Sequence, residues 1–340
     1  MRKGVNPNKN ILTEKNERRH QVIIPVFVPN HSNYFKDSFT ILKCCLESLI
    51  ITSNSQLFIT IVDNGSCEDV RKYLQNLLNA SKIQELIHTS NIGKFNAIVK
   101  GVSGHQFDFI TIADADVLFM HGWLQKTYEV FNNFDKAGVV STTPSSKMYK
   151  YLTANIIFKY IFSNKLKFTR VEDSHAMKMF ADSVGNPDLY NQYHLNKYLT
   201  LEQNGCIAVV GAGHFVATYK SKVFSSLLNE KINSKLGKEI RLVLDYPAFR
   251  FNYFRLSTNG NYTYHMGNTL ENWMFNKLEE IKEKRSESIL EHNMSSFKNN
   301  TNIFSKFRIY IFLEFLLNKK LFLNFFLKLK GLTKEESNNY

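Results

Sequence analysis

The sequence predicts an α/β protein with a mostly parallel central sheet flanked by helices. Apolar runs of strand length alternate with stretches whose apolar residues recur at helical spacing, which is typical of βαβ units. The apolar, β-branched run at residues 107–117 ends in two carboxylates, Asp114 and Asp116. Ligands of open α/β sheets bind at the carboxyl ends of the strands, so polar side chains follow this run where a ligand is expected.

The predicted elements begin with a strand at residues 21–28. Pro25 suggests that this strand ends or has a bulge at that residue. Further strands are predicted at residues 57–62, 84–88, 107–117, 138–142, 209–218 and 262–268. Helices are predicted at residues 36–51, 68–79, 94–102, 123–134 and 270–300. Residues 145–205 mix aromatic, lysine and polar residues, which predicts helices and long loops over the site.

Three segments are expected along the chain. The N-terminal arm, residues 1–20, is charged and lacks an apolar core, so it is not expected to be a signal peptide. A sheet domain follows at residues 21–270, with a first half at 21–142 and a second half at 143–270. The C-terminal extension, residues 271–340, is expected to be helical.

The chain is basic, with 43 Lys and Arg against 30 Asp and Glu and a formal net charge of +13. Nucleic acid, an anionic membrane and a phosphorylated substrate all match such a charge. The basic residues are scattered without a common aromatic–basic motif, so nucleic acid is not expected. The four cysteines form no C-x-x-C pair, which indicates a reducing cytosol rather than a zinc site or disulfides. No apolar run reaches 18 residues, so a spanning helix is not expected.

Several predicted strand ends carry carboxylates or polar turns. They are Asp63, Asn91, the pair Asp114 and Asp116, and Asp245. Residues i and i+2 of an extended chain point to the same side, so Asp114 and Asp116 can face one ligand, such as a metal ion on a diphosphate. The whole set is harder to obtain by chance than any one member.

The order of these features resembles the glycosyltransferases with the GT-A fold, most closely glycosyltransferase family 2. The matching pieces are VIIPVFV (22–28), ITIVDNGS (59–66), NIGKFNAIVKG (91–101), ITIADADV (110–117), VGAGHFVATYKSKVF (210–224), LDY (244–246) and YHMGN (264–268). The resemblance covers about residues 21–268, and it implies a Rossmann-like domain with a nucleotide half at 21–142 and an acceptor half at 143–270.

The resemblance implies a nucleotide-sugar site in the first half. Pro25 and Val26 would lie under the base, and Asp63 would accept hydrogen bonds from the base or the ribose. Asp114 would hold the ribose. The other residues implied to line this pocket are Asn91, Gly93 and Lys94, with Gly93 allowing close backbone approach.

The resemblance also implies a metal-dependent, inverting transfer. Asp116 would ligate Mn²⁺ or Mg²⁺, hard cations that prefer oxygen ligands, and His265 matches a histidine that touches the metal or the diphosphate. The metal would neutralise charge on the leaving diphosphate. Asp245 matches the general base, which takes the proton from the acceptor hydroxyl.

Each of these assignments has a structural alternative. Asp63 could initiate a turn, Gly93 could simply start a helix, and Lys94 could be a solvated helix residue. His265 could be a satisfied core or surface histidine.

The base assignment has a rival interpretation as well. Asp245 could be a helix N-cap. Members of the family often show two adjacent acids at this point, whereas Leu244 precedes the carboxylate here. Glu239 and Asp173 are the spare candidates for the base.

Residues 303–330 are expected to form an aromatic, basic helix. At about 100° per residue one stripe carries no charge, and its spacing alternates three and four. The stripe consists of Phe304, Phe307, Ile311, Phe315, Asn318, Phe322, Phe325 and Leu329. Three arrangements stay open, in which the helix lies on an anionic membrane, pairs with a second copy, or packs on its own catalytic domain.

Together these features predict transfer of a sugar from a nucleotide-sugar donor, foremost a UDP-sugar, to a lipid-linked or growing bacterial surface glycan such as O-antigen or capsule. The enzyme is expected in the cytoplasm, peripheral on the inner face of the plasma membrane. The alternatives are a retaining glycosyltransferase of the same fold, a nucleotidyltransferase, and a non-enzymatic membrane- or nucleic-acid-binding protein. A nucleotidyltransferase would usually show a Gly-rich phosphate loop near the first strand, which is lacking here.

Overall fold

The structure, a computed structural model, describes Gly4 and residues 18–53, 57–229, 244–284 and 304–340. Within these ranges the protein is α/β, with helices packed on both faces of a large sheet. This confirms the fold class that the sequence predicts.

Strands and helices alternate through the first half of the chain and are less regular afterwards. The strands are His20–Val26 (β1), Leu57–Asp63 (β2), Glu85–His88 (β3), Phe109–Ala113 (β4), Val117–Phe119 (β5), Ala137–Ser141 (β6), Leu166–Arg170 (β7), Lys197–Gln203 (β8), Cys206–Val210 (β9), Val216–Lys220 (β10), Phe254–Thr258 (β11) and Thr263–His265 (β12). The helices are Ser38–Thr52 (α1), Glu68–Asn79 (α2), Lys94–Val102 (α3), Trp123–Asn133 (α4), Ala154–Tyr160 (α5), Ser174–Ser183 (α6), Gln192–Asn196 (α7), Tyr246–Arg250 (α8), Asn272–Glu283 (α9), Phe304–Leu317 (α10), Lys320–Leu329 (α11) and Lys334–Asn339 (α12).

The large sheet has the order β3-β2-β1-β4-β10-β6-β11-β9-β8-β7. Strands β3, β2, β1 and β4 pair in parallel, as do β6 and β11, while β10 is antiparallel to both β4 and β6. The outer strands β9, β8 and β7 continue with antiparallel pairing. A separate two-stranded ribbon joins β5 to β12 antiparallel. The carboxyl ends of β1, β2 and β4 therefore meet at one edge, beside the β5–β12 ribbon.

Strand β1 shows why its run is continuously apolar. Val22, Ile24 and Val26 belong to the core on one face of the sheet, and Ile23 belongs to the core on the other face with Val62. A parallel strand covered by helices on both faces needs apolar residues at every position rather than at alternate ones.

The predicted interruption at Pro25 is wrong, because β1 runs through Pro25 to Val26. Pro25 is paired with Val62 of β2, but the pairing of β1 with β4 ends two residues earlier, at Ile23 and Ile112. Pro25 therefore has a strand neighbour on one side only, where its missing N–H costs little.

The prediction of helices and loops alone at residues 145–205 is also wrong in part. Helices α5, α6 and α7 lie there, but so do strands β7 and β8, which extend the sheet at its far edge. Strand β7 has the burial pattern of an edge strand, with Leu166 buried and Lys167 and Arg170 exposed. Its polar residues interrupt the apolar pattern by which a strand is recognised in a sequence.

The C-terminal helices pack on the rest of the chain through both ends of α5. The carboxylate of Glu314 on α10 accepts hydrogen bonds from the N–H groups of Thr153 and Ala154, at 2.6 and 2.9 Å. The ammonium of Lys330, after α11, donates to the carbonyls of Tyr160 and Ser163, at 3.2 and 3.0 Å. These contacts satisfy the groups that helix ends leave unpaired, with the charge sign that each end favours.

Of the three arrangements of the tail, packing on its own domain is present in the structure. The expectation of one helix is wrong, since α10 ends at Leu317 and α11 begins at Lys320. Among the described residues, no helix is both long enough and apolar enough to cross a membrane.

Candidate active site

A cavity of about 370 Å³ opens at the edge where β1, β2 and β4 end. This volume lies in the range of small-molecule sites. Its lining includes six of the predicted site residues, namely Pro25, Val26, Asn91, Lys94, Asp114 and Asp116. The structure therefore brings together most of the donor-side residues that were predicted from the sequence.

The cavity also has an aromatic wall that the sequence analysis missed. Phe27, Tyr34 and Phe35 line it, with Phe27 and Phe35 edge to face at a centroid distance of 5.7 Å. Aromatic faces are suitable platforms for a nucleobase. Tyr34 and Phe35 belong to an NYF triplet between the first strand and the first helix, which carried no prediction. Asn64 and Asn268 also line the cavity; both belong to pieces that match the family, but neither was singled out.

Asp63 lies beneath the cavity rather than in its lining. The side chain is 1% exposed, and its Oδ1 accepts the N–H of Ser66 at 2.8 Å. Its Oδ2 lies 2.9 Å from Nδ1 of His88. These contacts give Asp63 the turn-forming role that was its alternative, and Asn64 faces the cavity instead. A contact of Asp63 with base or ribose stays a prediction.

The segment before α3 brings Lys94 to Asp114. Gly93 precedes the helix with φ +87° and ψ 151°, a conformation open essentially to glycine alone. The N–H of Gly93 donates to Oδ1 of Asn91 at 3.2 Å, which closes the turn. Lys94, the first residue of α3, forms an ion pair with Asp114, and about a quarter of each side chain is exposed. Both charges therefore remain within reach of a ligand in the cavity.

His265 faces Asp116 across the β5–β12 ribbon. Its Nε2 lies 3.4 Å from Oδ2 of Asp116, and its Nδ1 lies 2.9 Å from Oγ of Ser183. The Ser183 hydroxyl donates its hydrogen to the carbonyl of Phe180 at 2.8 Å, so Nδ1 of His265 must be the donor to Ser183. In the neutral ring, Nε2 then carries a lone pair toward the Asp116 carboxylate.

One carboxylate oxygen of Asp116 is also suited to bind a cation. Its Oδ1 is buried and has no hydrogen-bond partner within the described ranges. Burial raises the pKa of the Asp116 carboxyl, and the His265 imidazole opposes this rise. An unpaired buried oxygen costs free energy that an ion would recover.

The residues present fit an ion such as Mn²⁺ or Mg²⁺. Across the part of the chain that the structure describes, no three His, Cys, Asp or Glu side chains converge on one point. An ion held by Asp116 and His265 would thus take its other ligands from substrate and water, which is usual for Mg²⁺ at diphosphates. The ligand roles of both residues stay predictions.

Asp245 belongs to the predicted acceptor half and is fully buried. Its Oδ1 accepts a hydrogen bond from Nη1 of Arg255 at 2.7 Å, and both side chains are 0% exposed. Its Oδ2 lies 3.7 Å from Nδ1 of His214, whose side chain is 40% exposed. Asp245 directly precedes α8 but makes no side-chain cap. Its role as the base stays a prediction.

The two spare candidates for the base differ in what the structure shows. Asp173 caps α6 by accepting the N–H of Ala176 at 2.8 Å, a structural role. Glu239 lies outside the described residues.

Residues 25–193 match the profile of Glycosyl transferase family 2. The matched range is just under half of the chain, and the match confirms the resemblance to glycosyltransferase family 2 that the sequence motifs indicate. No curated protein matches the chain.

Solved structures similar to this protein share little sequence with it. TarS 1–349 from S. aureus is 12% identical, with 73% of this chain and 60% of that chain covered and a TM-score of 0.44. The mannosyltransferase PcManGT from Pyrobaculum calidifontis, in complex with GDP-Man and Mn²⁺, is 12% identical, with 94% and 74% covered and a TM-score of 0.45. The chain thus spans less than two thirds of the TarS structure.

The family match covers the predicted donor side of the candidate site but not the predicted acceptor side. It includes the donor-side residues from Pro25 to Asp116, and it ends before His265 and Asp245. The roles of these last two residues therefore rest on the geometry described above and on chemical argument.

Proposed function

We propose that this glycosyltransferase moves a sugar from a nucleotide-sugar donor, foremost a UDP-sugar, and that it needs Mn²⁺ or Mg²⁺ to do so. The observation that carries the proposal is the approach of two oxygen- and nitrogen-ligand atoms, Nε2 of His265 and Oδ2 of Asp116, to 3.4 Å beside a cavity that Asp116 lines. With a neutral imidazole ring, both atoms could bind one divalent cation. The cavity beside them has the size of a ligand site and an aromatic wall suited to a nucleobase.

Each group of the chain has a task in this transfer. The aromatic wall and Pro25 hold the base, and Asp114 holds the ribose. When bound, the metal ion supplies positive charge that offsets the charge developing on the leaving diphosphate. Asp245 belongs to the side from which the acceptor hydroxyl attacks the anomeric carbon. In-line attack from that side inverts the configuration of this carbon.

The direct test is release of nucleoside diphosphate from a panel of UDP- and GDP-sugars with Mn²⁺ or with EDTA. We expect turnover of at least one donor with Mn²⁺ and essentially none with EDTA. Full turnover in EDTA contradicts the metal assignment. Conversion of the donor with added pyrophosphate to nucleoside triphosphate and sugar 1-phosphate, in place of nucleoside diphosphate release, indicates a nucleotidyltransferase. Retention, the remaining alternative, is decided by the anomeric configuration of the product in NMR.

We further propose that the acceptor is a lipid-linked or growing bacterial surface glycan, reached at the cytoplasmic face of an anionic membrane. Even after packing, the C-terminal helices leave apolar side chains exposed, up to 89% for Leu321. The exposed apolar residues of these helices, and of α5 and the turn after it, are Phe158, Phe162, Ile311, Phe312, Phe315, Leu321, Phe325 and Leu329. We call this set the apolar surface.

Contacts within the chain hold the parts of the apolar surface together. The ring of Phe158 lies edge to face with Tyr310 of α10, at a centroid distance of 5.8 Å. The hydrogen bonds of Lys330 to Tyr160 and Ser163 bring Phe162 to the end of α11.

Charge complementarity favours a membrane as the occupant of this surface. Exposed lysines lie on or beside the same helices, namely Lys159, Lys165, Lys319, Lys320 and Lys328. Each such lysine near an anionic membrane surface contributes about 1 kcal/mol of attraction. The predicted stripe also survives in part, because Ile311, Phe315, Phe325 and Leu329 belong to it and remain exposed.

Vesicle binding tests this surface. Full-length protein should sediment with phosphatidylglycerol–phosphatidylcholine vesicles, and added salt should weaken the binding. Phe315→Gln should weaken it about tenfold, since a buried phenylalanine contributes roughly 1.5–3 kcal/mol. The matched control is Phe275→Gln, an exposed phenylalanine on α9, which should bind like wild type. No sedimentation of the full-length protein contradicts membrane binding. A doubled mass in light scattering that Phe315→Gln abolishes indicates that a second copy covers the apolar surface instead.

A further inference from the structure

The base predicted from the sequence has no access to an acceptor. The Asp245 side chain is 0% exposed, and one of its oxygens is engaged by Arg255. The other oxygen, Oδ2, is buried without a hydrogen-bond partner within the described ranges, and it lies 3.7 Å from Nδ1 of His214.

We propose that His214 is the general base that meets the acceptor hydroxyl and that Asp245 is the residue that positions it. The proposal rests on the function proposed above and names a further catalytic residue for it. Nδ1 of His214 is buried and lies 3.7 Å from Asp245, whereas 40% of the side chain is exposed. The ring therefore turns Nδ1 toward the carboxylate and leaves Nε2 for the substrate.

The segment around His214 lies beside the donor site. The carbonyl of Phe215 accepts the N–H of Asp114 at 2.8 Å, and the Phe215 ring lies 5.2 Å from the ring of His265. His214 therefore directly precedes a residue that bonds the backbone N–H of Asp114 and touches the ring of His265. A base at this point would lie beside the cavity that Asp114 lines.

Arg255 fixes this segment in place. Its Nη2 donates to the carbonyl of Ala212 at 2.7 Å while its Nη1 holds Asp245. Gly211 allows the turn that starts the segment, since it has φ +103° and a Cβ there would lie 2.5 Å from the carbonyl oxygen of Met148. The buried ion pair therefore acts as a support for the loop that carries the histidine.

The step balances as an ordinary glycosyl transfer. The acceptor oxygen forms a bond to the anomeric carbon as the bond from that carbon to the diphosphate oxygen breaks, and the electron pair leaves with the diphosphate. The acceptor proton passes to Nε2 of His214. Nδ1 of the resulting imidazolium faces Oδ2 of Asp245 across 3.7 Å, and this carboxylate stabilises its charge.

Burial lowers the pKa of the His214 imidazole from its usual value, and Asp245 opposes this fall. The other charged groups that act on it are Lys94 and Arg255, which lower the pKa, and Asp114, which raises it. The neutral ring is the base, so transfer should fall as pH falls through this pKa, below about 6.5. Loss of the Asp245 charge should move that fall to lower pH.

The experiment measures UDP release from UDP-N-acetylglucosamine, UDP-glucose and UDP-galactose with Mn²⁺, with water as the acceptor, together with UDP binding. His214→Gln should lower the release rate by roughly a hundredfold, remove the acid limb of the pH profile, and leave UDP affinity unchanged. The matched control is His31→Gln, whose wild-type side chain is 41% exposed and lies 3.4 Å from Asp69. It should keep the wild-type rate and profile.

Asp245→Asn gives the second arm. It should slow the reaction and shift the acid limb to lower pH, an effect that a purely structural role does not produce. If this variant does not fold, His214→Gln decides alone. Wild-type turnover with an unchanged rate in His214→Gln overturns the dyad and leaves the proposed function standing. No turnover of any donor by the wild type overturns both.

Discussion

The donor side and the acceptor side of the site hold their charges in opposite ways. On the donor side, Lys94 and Asp114 form an ion pair with about a quarter of each side chain exposed. On the acceptor side, Arg255 and Asp245 form an ion pair with neither side chain exposed. A partly exposed pair can open toward a ligand at small cost, whereas a buried pair is fixed by the cost of desolvating each charge alone.

This difference suggests that the two ion pairs have different tasks, one in ligand binding and the other in holding the structure. The charges of Lys94 and Asp114 lie in the cavity lining, where a ligand could reach them. The acceptor-side pair holds the loop around His214 through Ala212. Mutations on the donor side should therefore change ligand binding with modest effects on stability, and mutations of the buried pair should do the reverse.

The largest expected effect is on turnover. Asp116→Asn should reduce Mn²⁺-dependent release of nucleoside diphosphate by about a thousandfold or more, because metal stabilisation of leaving-group charge is worth several kcal/mol and each 1.36 kcal/mol is tenfold. The control is Asp188→Asn, an exposed carboxylate outside the cavity lining, which should keep wild-type activity. Comparable activity in both variants is the outcome that contradicts a metal role for Asp116.

The next effect is on stability and concerns the acceptor side. Arg255→Gln should lower the free energy of unfolding by about 3–5 kcal/mol, since it leaves Asp245 buried without its partner. Urea unfolding followed by circular dichroism measures the change. A loss below about 1 kcal/mol would show that the pair is solvated in solution, and the contrast between the two sides would then be wrong.

A third effect depends on pH and concerns the parallel part of the sheet. His20 is buried between Tyr128 and Thr111, with hydrogen bonds of 2.8 and 2.7 Å, and burial lowers its pKa to about 3. The unfolded chain, with a histidine pKa near 6.5, binds the proton that the folded chain rejects. The stability that depends on the neutral His20 is therefore fully present above about pH 6.5, and it is lost as the pH falls toward 3.

The expected contribution of His20 to this loss is roughly 1 kcal/mol per pH unit. His20→Gln should unfold more easily at neutral pH but should show a shallower fall in stability between pH 6 and 4. An identical slope in variant and wild type would mean that the pKa of His20 is the same in the folded and the unfolded chain.

The smallest effect completes the comparison of the two pairs. Lys94→Gln should change the free energy of unfolding by no more than about 1 kcal/mol, because its pair with Asp114 is partly solvated. Urea unfolding under the conditions used for Arg255→Gln gives the direct contrast. A loss as large as that of Arg255→Gln would place the donor-side pair in the scaffold rather than in the binding site.

The donor side could be predicted from the sequence because its elements are local. Strand, turn and helix follow one another through Asp63, Lys94 and Asp114, and parallel strands bring their carboxyl ends together without further information. Even so, local pattern could not tell that Asp63 turns inward to Ser66 and His88 while Asn64 faces the cavity.

The acceptor side could not be predicted to the same depth because its contacts are long-range. Arg255 lies on β11, a strand without a predicted counterpart, and reaches both Asp245 and Ala212. The Ser183 partner that fixes the His265 ring lies 82 residues away in the chain. The tail shows the same limit, since the contacts of Glu314 and Lys330 with α5 follow from tertiary packing and not from helical periodicity.

The central claim is a metal-assisted donor site at Asp116 and His265, and Mn²⁺ titration followed by electron paramagnetic resonance tests it most directly. The signal of free Mn²⁺ disappears as the ion is bound. With saturating UDP, wild-type protein should bind one Mn²⁺ per chain, and Asp116→Asn should lose most of this binding while Asp188→Asn keeps it. Equal binding of Mn²⁺ by all three proteins, or none by the wild type, would contradict the account.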